Sequence, residues 1–149
     1  MKPNIRIAKQ SDVAAIFALI QELALYEKAP EQVTNTVENL RIDLFDKQLC
    51  GAIVAEINEE IVGFALYYTS YSTWKGACLY LEDFYVKEEF RKLGIGQQLF
   101  DEIVLIAKAR NVKRMDWQVL EWNEPAIRFY EKQQALLDPE WLNGRMFFE

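Results

Sequence analysis

The stretch LYLEDFYVKEEFRKLGIGQQLFDEIVLIA, residues 79–107, decides the fold. Its first part, Leu79 to Val86, is rich in aromatic and branched side chains and predicts a buried strand. Its last part predicts an amphipathic helix, with an apolar stripe at Ile95, Leu99, Ile103 and Ala107. The connection RKLGIG, residues 91–96, leads from the strand through two glycines into the helix. Such a turn leaves several backbone N–H groups pointing in one direction, and it therefore predicts a phosphate or pyrophosphate site.

The composition of this turn supports a phosphate site. Gly94 and Gly96 would let a ligand approach the backbone without meeting a Cβ atom. Arg91 and Lys92 add positive charge to a chain that is acidic as a whole. Two familiar phosphate motifs do not fit, because a dinucleotide fingerprint needs a third glycine where Leu99 stands and a Walker loop needs Lys-Ser/Thr after its second glycine. The alternative is a glycine turn that binds nothing.

Composition limits the classes of function. The 149 residues, of which 51% are hydrophobic, predict one domain over residues 1–149 with a real core. No apolar run approaches the ~20 residues that span a bilayer, so no membrane partner is expected. The first residues lack the apolar centre of a signal peptide, so we expect a cytoplasmic protein. The net charge of −6 argues against nucleic acid as the main partner and is compatible with a cationic substrate.

Histidine is absent from the chain. This absence excludes His-based triads, zinc sites with His ligands, and the usual general base at neutral pH. Cys50 and Cys78 form neither a disulfide framework nor a metal pattern, so no metal is expected. Any chemistry must therefore use carboxylates, tyrosine, backbone groups, bound water and a cosubstrate.

The predicted order of elements is β-α-α-β-β-β-α-β-α-β, a mixed α/β fold. A short strand precedes a helix after Ser11, and Thr34 or Thr36 begins a shorter helix. The later elements are a hairpin of strands 52–57 and 61–68, a loop at 70–76, the strand and helix of the deciding stretch, a strand with Met115, Trp117 and Val119 alternating, a helix opened by Asn123-Glu-Pro125, and a final strand at Gly144–Glu149.

Several motifs in this order resemble one known family. The hexad Arg-x-x-Gly-x-Gly resembles the acyl-CoA loop of the GCN5-related N-acetyltransferases (GNAT). The chain is similar to the diamine (spermidine/spermine) N-acetyltransferase subgroup, which includes relatives acting on thialysine. The matching segments are Glu22–Glu27, Glu31–Val33, Tyr80–Val86, Gly94–Gly96 and Glu121–Tyr130. The chain departs from the pattern at Gln134, where the family usually has glycine, and over Asp138 to Arg145.

The resemblance implies a GNAT-type sheet flanked by helices and a homodimer. It implies acetyl transfer from acetyl-CoA to a primary amine of a small cationic substrate, in a ternary complex, with Tyr130 as the acid. Implied cofactor contacts are Phe84, Tyr85, Val86, Arg91, Lys92, Leu93, Gly94, Ile95, Gly96, Gln97, Asn123, Pro125, Ala126 and Tyr130. Implied substrate contacts are Tyr26, Glu27, Glu82, Asp83, Asp116, Trp117 and Gln118. Two alternatives remain: an acetyltransferase for a protein lysine, an N-terminus or an amino acid, and a non-catalytic acyl-CoA-binding module.

The residues themselves suggest a base for such a reaction. An alkylamine has a pKa near ~10.4, so a base within reach should help to deprotonate it. Glu82 and Asp83 are the candidates, and Glu82 is the predicted catalytic residue. Because successive strand residues face opposite ways, we expect only one of these carboxylates to point at the site. The alternative is a solvated strand edge or an ion pair.

The same carboxylates predict an amine-binding cleft. We expect Tyr26 and Glu27, from the end of the first helix, to meet Glu82 or Asp83 across it. Carboxylates would hold a distal ammonium, while tyrosine rings would contact methylenes and charge. A thialysine-like substrate would need a basic partner for its carboxylate, for which Arg128 and Arg145 are the candidates.

Overall fold

The computed structural model describes residues 2–148, and the chain falls into two compact units, Met1–Gln118 and Val119–Glu149. The first unit contains five strands and three α-helices. In chain order these are β1 (Asn4–Ile7), α1 (Val13–Tyr26), α2 (Val37–Arg41), β2 (Gly51–Ile57), β3 (Glu60–Ser72), β4 (Gly76–Val86), α3 (Ile95–Ala109) and β5 (Met115–Asp116). The second unit contains α4 (Glu124–Lys132). A π-helical turn, Ile42–Asp46, directly extends α2.

The strands form one sheet in the order β1-β2-β3-β4-β5. The pairs β1–β2, β2–β3 and β3–β4 are antiparallel, whereas β4 and β5 pair in parallel. This five-stranded mixed sheet with flanking helices confirms the predicted α/β fold class. The parallel pairing is short, because β5 meets β4 only at Leu79 and Tyr80. Among residues 2–118, the edge of β4 beyond Tyr80 therefore has no strand partner on the β5 side.

Helices cover the two faces of the sheet. On one face, α1 and α2 bury Ile16, Leu19 and Leu40 against sheet residues such as Phe64 and Leu66. On the other face, α3 packs closely over β3 and β4, because Gly63 has no side chain. A Cβ atom on Gly63 would lie 3.2 Å from a Leu99 methyl and 3.1 Å from the Tyr85 carbonyl oxygen. The carboxyl half of β4 is thereby held between two helical layers.

Three predicted elements differ from the structure. The predicted loop at 70–76 is mostly strand, because Tyr71 pairs with Ala77 and Ser72 with Gly76 around a three-residue turn. Backbone pairing extends this hairpin beyond the core, so exposed polar side chains do not end it. The strand predicted to run to Val119 ends at Asp116.

The final strand, predicted at Gly144–Glu149, is absent over residues 144–148, and Glu149 lies outside the described residues. Strand backbone needs hydrogen-bond partners, and residues 119–148 contain no other strand. The second unit nevertheless confirms the predicted start of α4. The Asn123 side-chain oxygen accepts a hydrogen bond from the Ala126 N–H at 3.3 Å, and Pro125 lies in the first turn. Gln134, at the position where the family has glycine, has a left-handed φ of 64°.

Candidate active site

A β-bulge in β4 determines where the candidate carboxylates point. Leu66 of β3 pairs with Asp83, whereas the next residue, Tyr67, pairs with Leu81, so Glu82 is an extra residue with no partner. A bulge resets the alternation of side chains along its strand. Asp83 shares the face of its partner Leu66, which lies in the core under α1. Glu82, two residues after Tyr80, points to the same side.

Simple alternation along a strand would put Glu82 and Asp83 on opposite faces of the sheet, and the bulge prevents this. Both Glu82 and Asp83 lie on the α1 face of the sheet, and both carboxylates act on each other and on Glu27. Burial, followed by the negative charges of Glu82 and Glu27, raises the pKa of Asp83 to about 7. Partial burial and then Glu82 raise the pKa of Glu27. Glu27, which directly follows α1, therefore lies close enough to the central strand to interact with both of its carboxylates.

No cation of the first unit neutralises these three carboxylates. Among residues 2–118, neither Glu27, Glu82 nor Asp83 forms an ion pair with a basic side chain. Asp83 is half-buried, and a half-buried carboxylate is ordinarily paired or hydrogen-bonded. The arrangement is therefore a negative site that a cation from solution would stabilise.

Two tyrosines that the sequence analysis did not select line the same face. Tyr68 and Tyr80 are cross-strand partners whose rings stack with centroids 5.2 Å apart and an interplanar angle of 29°. Burial and then the Glu82 charge raise the pKa of each phenol. Stacked rings next to carboxylates favour an alkylammonium, because methylenes pack on the rings and the cation interacts with their π faces.

The π-helical turn contributes Asp43 to this region, and Cys50, directly before β2, is a second added group. Burial raises the pKa of the Cys50 thiol, and the negative charges of Asp43 and Glu82 raise it by smaller amounts. No sequence signal links Asp43 and Cys50 to Glu82, because their proximity depends on how α2 folds back onto the sheet. The proximity of Tyr68 and Tyr80 could be predicted only if the register of the β3–β4 hairpin were known.

The glycine turn has the backbone geometry of an anion site. Lys92 and Gly94 have left-handed φ values of 65° and 81°, and Gly94 is the N-cap of α3. The first helical hydrogen bond runs from the Gln98 N–H to the Gly94 oxygen at 3.1 Å. The N–H groups of Ile95 and Gly96 precede this bond, so helix geometry leaves them without an intrahelical acceptor. They lie at the positive end of the helix dipole.

The two glycines of the turn have different roles. Gly94 requires a positive φ, and a Cβ atom there would meet nothing within 4 Å. A Cβ atom on Gly96 would lie 3.7 Å from the Phe84 ring, an ordinary contact. The protein's own atoms therefore leave room beside both glycines, and ligand binding there remains a prediction. Gly96 is not required by the protein's own packing.

The side chain of Arg91 makes contacts within the protein and is not simply a free positive charge for a phosphate. Its Nε donates to the Val86 carbonyl oxygen at 2.8 Å, and its guanidinium carbon lies 5.2 Å from the ring centroids of both Tyr26 and Tyr85. Lys92 and Leu93, by contrast, are exposed. Of the basic residues in the turn, Lys92 has the more accessible charge.

The other predicted contacts of the first unit are distributed over both faces of the sheet. Phe84 packs against Phe100 of α3 with ring centroids 6.0 Å apart, and Trp117 meets the same ring edge-on at 5.7 Å. Asp116 pairs with Arg114 at 2.9 Å beside Tyr80. Both aromatic contacts place their rings on the α3 side of the sheet. The remaining predicted contacts are Val86, which is buried, Gln97, which donates to Asp101 at 2.8 Å, and Gln118, which is exposed.

The predicted residues of the second unit all belong to α4 or its cap. Tyr130 is buried, with 6% of its surface exposed, and its ring lies edge-on to Phe129 at 5.5 Å. Asn123 is also buried, and its side-chain oxygen serves as the helix cap. The predicted cap is therefore confirmed, while the ligand contacts of Asn123, Pro125, Ala126 and Tyr130 remain predictions.

Residues 2–148 contain neither a metal-ligand cluster nor a membrane-spanning helix. Within residues 2–148, no group of three or more His, Cys, Asp and Glu side chains is arranged to hold a metal ion. Across the same described residues, no helix combines the length and apolar character needed to cross a membrane.

Two features of the fold agree with the family that the sequence resembles: β5 pairs with only the first part of β4, and a glycine turn leads from β4 into α3. The family model described as "Acetyltransferase (GNAT) family" matches residues 14–135, so the chain belongs to the GNAT acetyltransferase family. The solved structure of an integron cassette protein from V. cholerae supports the fold. It has a TM-score of 0.79 at 24% identity, covering 99% of this chain and 94% of that one.

Relatives that are similar in sequence indicate which kind of acceptor the family member uses. The chain is 41% identical to thialysine N-epsilon-acetyltransferase of Bos taurus over 85% of this chain and 80% of that protein. It is 36% identical to spermidine/spermine N(1)-acetyltransferase-like protein 1 of Homo sapiens over 89% of this chain and 20% of that longer protein. The protein is an N-acetyltransferase that acts on amines, and the resemblance to the diamine and thialysine subgroup is confirmed.

Proposed function

We propose that the protein transfers an acetyl group from acetyl-CoA to a primary amine of a small cation, a diamine, polyamine or lysine-like compound, by direct transfer in a ternary complex. The observation that carries this proposal is the carboxylate cluster of Glu27, Glu82 and Asp83, which has no cation of its own within residues 2–118. A dication supplies the missing charge. One ammonium binds the cluster, and the other amine is the group that reacts.

The cluster also supplies the base. A pKa of about 7 means that Asp83 exchanges a proton near neutral pH. Glu82 is exposed and is proposed to accept the proton of the reacting ammonium, directly or through water. Asp83 and Glu27 hold the distal ammonium.

Acetyl-CoA supplies the activated acyl group when it binds, and the first unit offers two features that fit it. The turn from Arg91 to Gly96 offers backbone N–H groups and Lys92 to the pyrophosphate. Beyond Tyr80, β4 offers an edge without a strand partner among residues 2–118, where an extended arm can add alongside. These features support the cosubstrate that GNAT enzymes use.

Tyr130 is proposed to donate a hydrogen bond to the leaving thiolate. Full proton transfer from a phenol of pKa ~10 to a thiolate nearer ~8.5 would be uphill by roughly 2 kcal/mol, so a hydrogen bond to the developing charge is the better role. We expect Tyr130→Phe to lower kcat by a factor equivalent to ~2.7–4 kcal/mol, or less if a water replaces the hydroxyl, with acetyl-CoA affinity within a few-fold. Wild-type turnover in this variant would make Tyr130 a packing residue.

The proposal is tested by measuring thioester consumption with spermidine, a short diamine, thialysine, lysine and a monoamine of matched length. We expect the dications to have kcat/KM values at least ~10-fold above that of the monoamine, because an absent second charge leaves a desolvated carboxylate unpaired. Equal values for the monoamine and the dications would refute charge recognition by the cluster.

A further inference from the structure

The side chain of Arg91 connects three parts of the first unit. Its guanidinium carbon lies 5.2 Å from the ring centroid of Tyr26 and 5.2 Å from that of Tyr85. Its Nε donates a hydrogen bond to the carbonyl oxygen of Val86 at 2.8 Å. Tyr26 ends α1, Tyr85 and Val86 end β4, and Arg91 begins the glycine turn. One side chain thus joins the cofactor turn to the end of the first helix.

A second contact holds the same part of α1. The Tyr85 hydroxyl donates to Oε1 of Glu22 at 3.2 Å. Glu22 and Tyr26 are four residues apart, so they lie on the same side of the helix. The Tyr85 ring therefore contacts Arg91 at its face and Glu22 at its hydroxyl. Together these contacts attach the last turn of α1 to β4 at two points.

The chemistry of this contact is specific to arginine. A planar guanidinium can interact with an aromatic ring on each side while its Nε points along its plane to a carbonyl oxygen. The compact ammonium of lysine cannot combine these three interactions. Lys92, the adjacent basic residue, is exposed and forms no ion pair or ring contact among the described residues. The two basic residues of the turn are therefore structurally different.

We propose that Arg91 is a positioning residue for amine recognition, which fixes the Tyr26–Glu27 corner of α1 over β4. Glu27 directly follows Tyr26, and its carboxylate interacts with Glu82 and Asp83. Its distance from these carboxylates depends on where the last turn of α1 is held. The consequence for amine selectivity rests on the proposed function, whereas the fixing of the α1 corner does not.

The test compares Arg91→Gln and Arg91→Lys with the matched control Lys92→Gln, which removes one positive charge from the same turn. Hydrogen exchange is measured at the amides that close α1. These are Glu27, Lys28 and Ala29, which donate to Leu23, Leu25 and Ala24 at 2.8, 3.0 and 2.9 Å. We expect exchange at these amides to be at least ~10-fold faster in both Arg91 variants and unchanged in Lys92→Gln. Wild-type exchange in Arg91→Gln would overturn the positioning role.

The second readout is the ratio of kcat/KM for spermidine to that for a matched monoamine. We expect this ratio to fall ~10-fold in both Arg91 variants and to stay constant in Lys92→Gln, whatever Lys92→Gln does to acetyl-CoA affinity. A constant ratio in the Arg91 variants would overturn the role in amine recognition. If no amine is acetylated by the wild type, the proposed function fails, and the exchange comparison still decides whether Arg91 fixes the α1 corner.

Discussion

Two carboxylate clusters in the first unit have opposite electrostatic states. In one, Arg6 donates to both oxygens of Asp12 at 2.7 and 3.0 Å and to Glu56 at 3.0 Å. The hydrogen bond from Arg6 lowers the pKa of Asp12, although burial opposes this. In the other, burial and neighbouring carboxylates raise the pKa of Asp83 to about 7. The first cluster has its own cation, and the second has none within residues 2–118.

This difference distinguishes a structural cluster from a binding one. Arg6 joins β1 to β2 and to the start of α1, so its carboxylate partners stabilise the fold. The carboxylates around the β4 bulge repel one another, which costs stability while no cation is bound. A bound substrate ammonium would offset this repulsion and stabilise the cluster. Removing a carboxylate from each cluster should therefore have opposite effects on the free energy of unfolding.

The largest expected effect comes from Asp12→Asn. This change leaves the half-buried Arg6 guanidinium with one carboxylate partner in place of two, and we expect the free energy of unfolding at pH 7 to fall by about 3 kcal/mol. Glu38→Gln is the matched control, because solvent screens the exposed Arg41–Glu38 pair, at 2.6 Å, and surface pairs of this kind contribute little to stability. Urea unfolding measures both variants. A similar small loss in the two variants would show that Arg6 does not stabilise the fold through Asp12.

Asp83→Asn should act in the opposite direction and depend on pH. The folded-state pKa of about 7 lies above the ordinary value of 3.8, so the unfolded chain ionises first as pH rises. The wild-type protein therefore loses stability between about pH 4 and pH 7. The asparagine variant avoids this loss, and we expect it to match the wild type near pH 4 and to have a higher free energy of unfolding than the wild type at pH 8. An asparagine variant less stable than the wild type at pH 8 would contradict the comparison.

A carboxylate can also be added, at the glycine turn. Gly96→Asp places a negative charge in the first turn of α3. This charge interacts favourably with the helix dipole but repels a phosphate. We expect acetyl-CoA affinity to fall by ~10-fold or more without loss of stability. Gly96→Ala is the control, because a Cβ atom there lies 3.7 Å from Phe84 and is tolerated. Calorimetry that gives equal acetyl-CoA affinity for Gly96→Asp and wild type would exclude the turn as the pyrophosphate site.

Local patterns predicted most of the fold. The glycine turn, the α3 stripe and the Asn123 cap depend on residues close together in sequence, and all three are present. The strand content of 70–76 was missed because hairpin pairing overrides polar composition. The final strand was predicted from apolar residues such as Phe147 and Phe148, which are 78% and 88% exposed. Strand formation at that position needs a partner that a local pattern cannot supply.

The candidate site was harder to predict because its arrangement depends on register. The carboxylates of Glu82 and Asp83 were identified from the absence of histidine, but the bulge that turns both toward α1 arises from pairing with β3. The stacked pair of Tyr68 and Tyr80 depends on the same pairing. The motif predicts a phosphate role for Arg91, whereas its side chain contacts two tyrosine rings that are distant from each other in sequence.

The most direct test of the account is the titration of the Asp83 carboxyl carbon by NMR, with and without saturating spermidine. We expect a midpoint near the pKa of about 7 in the free protein. With spermidine, we expect a midpoint at least ~1 pH unit lower, because a bound ammonium favours the charged carboxylate. Asp12, already paired with Arg6, is the internal control and should not move. An Asp83 midpoint that spermidine leaves unchanged would contradict the claim that this cluster is a site for a cation.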